Sequence, residues 1–345
     1  MNRFSLGLIC FLSYFIIGCN QVNDAALLPL VVTDSVFGDS DDAAIWINEQ
    51  NIDSSIVLGT DKDKINGGVY VFNLNGKIDS ARSKFNLKRV NNIDIANHFN
   101  FLNKDIAIAV ATERDNQAIR IFSIPAMTSI DGGGIKVFTD DTANLPMGIA
   151  LYTNPTNKQV YAIVGRKQGP KNGYLYQYLL YDSSGIVTAK MVRKFGQYSG
   201  KKEIESIAVD NELGYVYYSD EQFGIRKYYA HPDSAGIELA VFGQNQFKDD
   251  NEGISIYKEA NGKGYILVSN QAAHSFNIYP REGSKQNPHH HPLIKSIVVS
   301  AQNSDGSDIT SVSLPGFNKG LFVVMSDNKT YHYYSWEQIQ QKLPK

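Results

Sequence analysis

Short runs of apolar residues occur in pairs along the chain, and a short polar step separates the two runs of each pair. The first runs of six such pairs end at Thr60, Thr112, Gly165, Ser219, Ser269 and Ser326. A unit of about fifty residues that contains several strands is typical of a β-propeller blade. A β-sandwich or two smaller β domains would not explain so regular a spacing. The pattern therefore predicts an all-β fold, a six-bladed β-propeller in a single domain.

The turns and the composition agree with this fold class. The chain is rich in Tyr (20), Phe (17) and Gly (28), which favours strands and turns over helices. Four Gly-containing steps are predicted to supply the positive φ angles of tight hairpins. They are Asn66-Gly67-Gly68, Asn75-Gly76, Asp131-Gly132 and Asn261-Gly262. Only residues 335–342 have a helical pattern, and we predict that this segment caps the last blade.

The N-terminus has the features of an export signal. Arg3 precedes an apolar run that ends at Cys19, and this run is too short and too early for a membrane span. The ending Ile16-Ile17-Gly18-Cys19 resembles the bacterial lipobox, in which cleavage precedes the cysteine and its thiol takes a diacylglycerol. An ordinary cleaved signal with a chance cysteine is the alternative. The predicted segments are a lipoprotein signal peptide (1–18), a lipid-anchored tether (19–33) and the propeller (34–345).

This signal predicts where the protein is found. We expect an exported protein that is held at a bacterial membrane through lipid on Cys19. Asn20 is not the Asp that retains many lipoproteins at an inner membrane. The outer membrane or the cell surface is therefore the expected location.

Charge and cysteine content exclude several functions. With 33 Lys+Arg against 35 Asp+Glu there is no basic surplus, so nucleic acid is not an expected partner. Both cysteines, Cys10 and Cys19, lie near the N-terminus, which excludes disulfides, Cys-ligated zinc and a cysteine nucleophile from the folded body. Motifs of phosphate-binding loops, G-x-S-x-G hydrolases, His-Glu-x-x-His proteases and histidine acid phosphatases are absent. Carboxylates, cationic side chains and bound cations must carry any chemistry.

Acidic residues cluster in loops of several repeats. The clusters lie at 39–42, 203–210, 219–221, 249–253 and 304–308. Propeller loops converge at one end of the central channel, and Ca²⁺ takes about six to eight hard oxygen ligands. A single cluster of this kind is more often a soluble turn. Clusters at similar positions in several blades predict a shared site for several Ca²⁺ ions.

Cationic residues follow the first apolar run in the first three repeats. They are Lys62, Lys64, Arg114, Arg166 and Lys167. Arginine binds phosphate with a planar fork of donors, and lysine binds it as a point charge. Each residue alone is compatible with a solvated loop. Their shared position favours binding of a polyanion between these cations and Ca²⁺.

Several short segments form an ordered set between about residue 34 and residue 343. They are Asp41-Asp42-x-Ala44-Ile45-Trp46, Asn91-Asn92-Ile93-Asp94, Glu205–Asp210 with Glu212-x-Gly214, Asn251-Glu252-Gly253, Gly262-Lys263-Gly264-Tyr265, Gly320-Leu321-Phe322-Val323 and Trp336-Glu337-x-Ile339. This set resembles the β-propeller phytases. These are calcium-dependent enzymes that remove phosphates from myo-inositol hexakisphosphate (phytate).

The resemblance implies roles for individual residues. The metal ligands that it implies are Asp41, Asp42, Asp94, Glu205, Glu221, Asp250, Glu252 and Asp308. The substrate-binding residues that it implies are Lys62, Lys64, Arg114, Arg166 and Lys167. Catalytic roles are expected for Lys64, Arg114, Lys167, Glu205 and Glu221.

The expected function is calcium-dependent hydrolysis of phytate, of the 3-phytase type. A metal-activated water would attack the phosphate without a covalent intermediate, and the protein is expected to be a monomer. Two departures from the family leave alternatives open: Met147 replaces a substrate-facing tyrosine, and 304–312 lacks part of an acidic run. The alternatives are a surface-anchored propeller that binds phosphorylated or protein ligands without catalysis, and a six-bladed calcium lactonase or esterase.

Overall fold

A computed structural model describes residues 25–344, which form six antiparallel sheets. The innermost strands of the sheets contact one another in cyclic order, from the first sheet to the sixth and back to the first. The sheets are therefore the blades of one propeller around a central channel, and the predicted fold class is confirmed. Among the described residues, no helix has the length and apolar character needed to cross a membrane.

Strands β2 to β25 follow one another from the channel outward in each successive blade. The first strand of the chain, β1 (Val31–Val32), belongs to the last blade. Blade 1 contains β2 (Ser40–Trp46), β3 (Ile56–Asp61), β4 (Gly67–Phe72) and β5 (Lys84–Leu87). Blade 2 contains β6 (Val90–Phe101), β7 (Lys104–Glu113), β8 (Ala118–Ile124) and two short strands that pair with β8, β9 (Thr128–Ser129) and β10 (Ile135–Lys136). Blade 3 contains β11 (Pro146–Thr153), β12 (Val160–Arg166), β13 (Asn172–Ser183) and β14 (Ile186–Gln197).

The remaining blades have four strands each. Blade 4 contains β15 (Ile207–Asp210), β16 (Tyr215–Asp220), β17 (Gly224–Tyr229) and β18 (Ala240–Phe242). Blade 5 contains β19 (Asn251–Lys258), β20 (Gly264–Asn270), β21 (Ser275–Pro280) and β22 (Lys295–Val298). Blade 6 contains β23 (Ser307–Thr310), β24 (Leu321–Ser326), β25 (Thr330–Ser335) and, outermost, β1. Helix α1 spans Trp336–Gln340, and 3₁₀ turns occur at Ile52–Ser54, Arg114–Asn116, Ala260–Gly262 and Gln271–Ala273.

The predicted apolar runs correspond to the two middle strands of each blade. In blade 1, β3 and β4 are buried along their whole length. A middle strand is covered on both faces by the neighbouring blades, so it is a continuous apolar run rather than an alternating pattern. This burial explains why the repeat is visible in the sequence, whereas the inner and outer strands carry a weaker signal.

Helix α1 occupies the predicted helical segment. Ser335 and Gln338 form a capping box at its start. Trp336 stacks on Tyr257 of β19, with ring centroids 3.6 Å apart. Trp336 and Ile339 belong to an apolar cluster with residues of blades 5 and 6, so the helix packs against both the last blade and blade 5.

The predicted Gly turns differ in why they need glycine. Gly76 and Gly132 have φ angles of 76° and 64°, as the hairpin prediction requires. Gly67 and Gly68 lie outside the positive-φ region. A Cβ there would lie 2.6 Å from the carbonyl oxygen of Asp61 and 2.3 Å from that of Lys84, respectively. The close approach of neighbouring strands, and not turn geometry, requires glycine at these two positions.

Strand β1 closes the ring by completing blade 6. It pairs antiparallel with β25, and Val31 lies opposite Tyr333. Leu27 is buried and its N–H donates to the carbonyl oxygen of Val298 at 2.9 Å. The predicted tether (19–33) therefore extends too far, because strand pairing includes its last residues in the propeller. The signal peptide and Cys19 lie outside the described residues.

Deletion of β1 should destabilise the propeller. A chain that starts at residue 34 loses the hydrogen bonds from Leu30 N–H to Tyr333 O (2.8 Å) and from Thr33 N–H to Tyr331 O (3.0 Å), together with the buried Leu27. At about 1 kcal/mol per hydrogen bond and about 2 kcal/mol for the leucine, the free energy of unfolding should fall by about 4 kcal/mol. Thermal unfolding followed by circular dichroism tests this, with a chain that starts at residue 25 as the control. Equal midpoints would contradict the role of β1 in closure.

Candidate functional site

Loops at one end of the channel line a cleft of about 720 Å³, called the mouth below. Several of these loops follow the second strand of a blade, and others lead into an inner strand. Its charged and amide side chains include Lys62, Lys64, Arg89, Arg114, Lys167, Lys202, Glu203, Glu205, Glu252, Gln271 and Asp305. The mouth thus collects side chains from all six blades or the loops between them.

Irregular pairing at the start of the inner strands affects which way their side chains point. The pairing register shifts at 40–43, 90–93 and 251–254. Such a bulge interrupts the alternation of side chains between the two faces of a strand. Asp41, Asn91 and Glu252 lie on these segments, and each contacts other side chains of the mouth.

Two glycines, Gly253 and Gly306, let the inner strands of blades 5, 6 and 1 approach one another beside the acidic side chains. Gly253 follows Glu252, and its N–H donates to the carbonyl oxygen of Asp305 at 2.6 Å. A Cβ on Gly306 would lie 2.2 Å from Asp42 Oδ1. Any larger residue at position 306 would push the two strands apart and widen the mouth.

Carboxylates of the mouth form two groups that share Glu221. One ligand oxygen each from Glu203, Glu205 and Glu221 lie within 4.8 Å of one another. The same holds for Glu221, Asp250 and Glu252. Buried like charges at this spacing repel strongly, so protons or cations must compensate them.

Two carboxylate oxygens in these groups have no partner. Glu221 Oε1 and Glu252 Oε2 are buried and accept no hydrogen bond. Buried carboxylate oxygens are normally satisfied, so unpartnered ones mark positions where a cation fits. An all-oxygen set of ligands suits hard divalent cations. The two acidic groups could therefore hold metal ions.

Burial raises the pKa of the carboxyl groups in the mouth. Burial, with repulsion from Asp41, raises the pKa of Glu205 well above its ordinary value, and burial with repulsion from Glu221 does the same for the pKa of Glu252. Burial raises the pKa of Glu221 to about 8 and the pKa of Asp305 to about 6. A metal ion must displace these protons, so metal binding should strengthen as the pH rises.

Lysines compensate part of the acidic charge. Lys62 Nζ lies 2.9 Å from Asp41 Oδ1 and 2.5 Å from Asp305 Oδ2, across the seam between blades 1 and 6. Burial alone would lower the pKa of Lys62, but these two carboxylates raise it above its ordinary value. Lys167 Nζ pairs with Glu203 at 2.6 Å. The ammonium group of Lys62 therefore remains charged in the mouth.

A third lysine lies in the second acidic group. Lys202 Nζ is 2.8 Å from Glu221 Oε2, 2.5 Å from Asp250 Oδ2 and 3.9 Å from Glu252 Oε1. Burial lowers the pKa of Lys202, but Asp250 and Glu221 outweigh this and raise it above its ordinary value. One ammonium group thus contacts all three carboxylates.

Arg114 and Asn91 lie next to Glu205. Arg114 begins the 3₁₀ turn after β7 and is buried. Its Nη2 lies 3.9 Å from Glu205 Oε1, and its Nε has no partner. Asn91 Nδ2 donates to Asp41 Oδ2 (2.6 Å) and to Glu205 Oε1 (3.2 Å). Asn91 therefore links blade 1 to blade 4, while Arg114 keeps a donor for a ligand.

The two predicted lysines of blade 1 differ in position. Lys62 reaches the carboxylates, whereas Lys64 is exposed at the rim. Asp63 Oδ1 accepts the N–H groups of Ile65 and Asn66, and this turn holds Lys64 at the rim of the cleft. Lys62, and not Lys64, is the lysine of blade 1 that lies among the acidic side chains.

Arg166 does not lie in the mouth, so its predicted contact with substrate is wrong. It is fully buried within blade 3. Its guanidinium donates to Asp141 Oδ2 (2.8 Å) and to the carbonyl oxygens of Tyr174 (3.1 Å) and Gly173 (3.2 Å). These contacts use its donors to hold a loop of the blade.

Asp94 and Asp308 were predicted as ligands but face the channel, away from the two acidic groups. Asp94 Oδ2 accepts the N–H of Leu151 in blade 3, and Asp308 Oδ2 accepts the N–H of Ile45 in blade 1, both at 2.7 Å. Burial raises the pKa of Asp94 to about 6 and the pKa of Asp308 to about 7. Each carboxylate links the inner strands of neighbouring blades.

The predicted acidic pair divides between the mouth and the channel. Asp41 contacts Lys62 and Asn91 in the mouth. Asp42 Oδ2 accepts hydrogen bonds from Asn92 Nδ2 (3.1 Å) and from the N–H of Ile93 (3.2 Å). Asp42 is therefore a contact between blades 1 and 2 rather than a member of the acidic groups.

Side chains of the mouth that were not predicted as site residues include Arg89, Asn91, Lys202, Glu203, Gln271 and Asp305. Glu203 and Asp305 lie within acidic loops that the sequence analysis had already marked. Their position in each loop depends on how the loop bends. Asn91 lies in a segment that resembles the family but had no assigned role, and Lys202 carried no signal of its own. Only the closed ring brings the two side chains next to these carboxylates.

Comparison with known proteins gives three similarities. A family model described as "Phytase" matches residues 9–344. A protein of Bacillus subtilis (strain 168) named "3-phytase" is 29% identical over 326 residues, covering 88% of this chain and 81% of that protein. A solved structure titled "Structure of Dos1 propeller" has 12% sequence identity and a TM-score of 0.45, covering 86% of this chain and 68% of that one.

In metal-free protein, the free energy of unfolding should fall as the pH rises from 6.5 to 8. A carboxyl group whose pKa is higher in the folded chain stabilises the fold below the unfolded pKa, and this contribution is lost as the pH rises through the folded pKa. With the pKa of Glu221 at about 8, the loss is about 1–2 kcal/mol. Urea unfolding in a chelator measures it.

Two variants identify the source of this pH dependence. Glu221→Gln should reduce it, whereas Glu259→Gln, at an exposed position, should leave it unchanged. Wild-type stability that stays constant or increases over this range would contradict the raised carboxyl pKa.

Proposed function

The chain belongs to the β-propeller phytase family, and from this premise we propose that it hydrolyses the phosphate monoesters of phytate with the help of bound Ca²⁺. Membership of the family makes it a phytase-family hydrolase. The substrate, the metal and the roles of individual residues are the content of the proposal.

The charge balance of the mouth is the observation that carries the proposal. Seven carboxyl groups there lie against four cationic side chains, so the metal-free mouth becomes acidic as these carboxyl groups lose their protons. The carboxylates are Asp41, Glu203, Glu205, Glu221, Asp250, Glu252 and Asp305, and the cationic side chains paired with them or next to them are Lys62, Arg114, Lys167 and Lys202. Each phosphate of phytate carries about −1.5 to −2 charges at neutral pH. Once those protons are lost, a polyanion can bind here only when divalent cations offset the negative charge of the carboxylates.

The proposed Ca²⁺ ligands are the carboxylates of the two acidic groups. Glu221 belongs to both groups, and Glu221 Oε1 and Glu252 Oε2 are unpartnered. Bound Ca²⁺ would supply positive charge to neutralise phosphate oxygens and to lower the pKa of water. The bulge at 251–254 and the contact between Gly253 and Asp305 set the backbone position of Glu252.

The cationic side chains are proposed to bind phosphate oxygens. Arg114 has a buried Nε without a partner, and its side chain is held beside Glu205. Lys62 and Lys167 each pair with a carboxylate and line the same cleft. Fixed donors aimed at phosphate stabilise charge as it moves to the leaving oxygen. The proposed phosphate-binding set is therefore Lys62, Arg114 and Lys167.

The two alternatives differ from this proposal in testable ways. A lactonase or esterase binds an uncharged substrate, for which this concentration of lysine and arginine has no use. A propeller that only binds its ligand would need the same cations without turnover. Met147 is fully buried, Asp305 of the altered 304–312 stretch lies in the mouth, and neither segment contributes a carboxylate to the two acidic groups.

We also propose that lipid on Cys19 anchors the protein at the outer membrane or cell surface. Leu27 is the first buried residue in the described part of the chain. Eight residues span at most about 30 Å, so such an anchor would keep the propeller close to the bilayer. Phytate would then be hydrolysed at the membrane surface, by a monomer.

Phosphate release from calcium phytate tests the function. Wild-type protein should release phosphate with Ca²⁺ and lose this activity in a chelator. Glu205→Gln should lower the rate at least about 100-fold, because a neutral amide keeps the shape of the side chain but not its charge. Glu259→Gln, at an exposed position, is the matched control. Ca²⁺-stabilised wild-type protein that releases no phosphate would favour the binding-only alternative.

A pair of lysine variants tests which lysine of blade 1 acts in turnover. Lys62→Met should lower kcat/KM by about 100-fold or more, because its ammonium lies among the carboxylates at the mouth. Lys64→Met should change kcat/KM less than about threefold, because a solvated rim charge contributes little. Steady-state kinetics on phytate gives both values. Equal losses in the two variants would contradict the assignment.

A further inference from the structure

The ammonium group of Lys202 lies among the carboxylates of the second acidic group, which could hold a metal ion. Its Nζ contacts Asp250 Oδ2 at 2.5 Å and Glu221 Oε2 at 2.8 Å and lies 3.9 Å from Glu252 Oε1. Glu221, Asp250 and Glu252 form the second acidic group, in which one ligand oxygen of each residue lies within 4.8 Å of the other two. An ammonium ion and a divalent cation cannot both occupy so small a space.

The ammonium group leaves two buried oxygens of this acidic group without a partner. The side chains of Glu221 and Glu252 are 0% and 3% exposed, and each has an oxygen without a partner. One positive charge faces three carboxyl groups. A divalent ion would contribute twice the charge and would also bind the free oxygens, so it should displace the ammonium group.

We propose that Lys202 is an internal competitor for the metal ion, and that metal binding releases its ammonium group to bind the anionic substrate. The identity of the anion as an inositol phosphate rests on the proposed function. The competition with metal does not, because it follows from the contacts of Lys202 alone.

The position of Lys202 allows this exchange. The residue lies in the segment between β14 and β15, outside regular structure, and its side chain is 37% exposed. It lines the mouth together with Lys62, Arg114 and Lys167. Rotation of its flexible stem would move the ammonium group from the carboxylates into the cleft, where those cations lie.

The exchange would couple two binding events. Metal binding adds positive charge to the carboxylates and at the same time frees a cation for the substrate. The metal-free mouth lacks both, so it should bind anions poorly. By linkage, an anion that contacts Lys202 should in turn strengthen metal binding.

A calcium titration tests the competition. Isothermal titration calorimetry should give a Kd for Ca²⁺ that is about tenfold lower in Lys202→Met than in wild type, because methionine keeps the apolar stem but cannot compete. Lys201→Met removes the same charge one residue away. Lys201 Nζ donates to the carbonyl oxygen of Gln222 at 2.7 Å, and its variant should bind Ca²⁺ within about twofold of wild type. An unchanged or higher Kd in Lys202→Met, or equal shifts in both variants, would overturn the proposal.

A second titration tests the transfer to the anion. The probe is myo-inositol hexasulfate, a polyanion of similar shape, added to protein saturated with Ca²⁺. Lys202→Met should bind it about three- to tenfold more weakly than wild type, although the same variant binds Ca²⁺ more tightly. Equal binding of the hexasulfate would overturn the second half of the proposal, because the released ammonium group would then have no contact with the anion.

A measurement on wild-type protein covers the case in which Lys202→Met fails to fold. Acylation of lysines by an amine-reactive reagent, quantified by mass spectrometry, should label Lys202 at least about threefold faster with Ca²⁺ than with a chelator. Lys201 is the internal reference. Unchanged labelling of Lys202 in protein that binds Ca²⁺ would overturn the displacement. None of these measurements uses phosphate release, so absence of phytate hydrolysis would contradict the proposed function and leave this result standing.

Discussion

Closure of the ring is the constraint on which the mouth depends. Acidic side chains from blades 1, 4 and 5 and from the loop before β23 are crowded at one end of the channel, and their mutual repulsion opposes that arrangement. The packed interior of the blades offsets this repulsion, and strand β1 completes the sixth blade beside the first. At the seam, Ser40 Oγ donates to the carbonyl oxygen of Ser326 at 2.8 Å. The site is therefore held together by apolar burial and strand pairing far from the charges that it uses.

Buried charged residues serve two different purposes in this propeller. Asp94 and Asp308 accept hydrogen bonds from backbone N–H groups of neighbouring blades, and so they join the inner strands around the channel. Asp210 likewise has a structural role, because its carboxylate pairs with the guanidinium of Arg281 at 2.6 Å. Glu221 and Glu252, in contrast, keep unpartnered oxygens. Both classes contain acidic residues, and they differ in the hydrogen-bond and ion-pair partners that the fold provides.

The metal-free mouth reduces its own repulsion in two ways. Protons remain on the buried carboxyl groups at a higher pH than usual, as the pKa of Glu221 at about 8 indicates. Lysines also contribute positive charge, and the ammonium groups of Lys62 and Lys202 lie nearest to the carboxyl groups. Both compensations are reversible, since a proton leaves as the pH rises and an ammonium group can move. The protein can therefore fold before a metal ion arrives and can still bind one afterwards.

The sequence alone determined the fold class, the number of blades and the acidic character of one end of the channel, because middle strands are buried on both faces and therefore recur as apolar runs. It also indicated most residues of the site, since Glu205, Glu221, Asp250 and Glu252 are carboxylates in loops that follow the repeat. Only the tertiary structure decided which neighbours meet. It selected Lys62 over Lys64, buried Arg166 in blade 3, directed Asp94 and Asp308 to the channel, and brought Lys202 to carboxylates of blades 4 and 5. The physical reason is that these outcomes depend on β-bulges, turns and contacts between blades, which residues distant in the chain determine together.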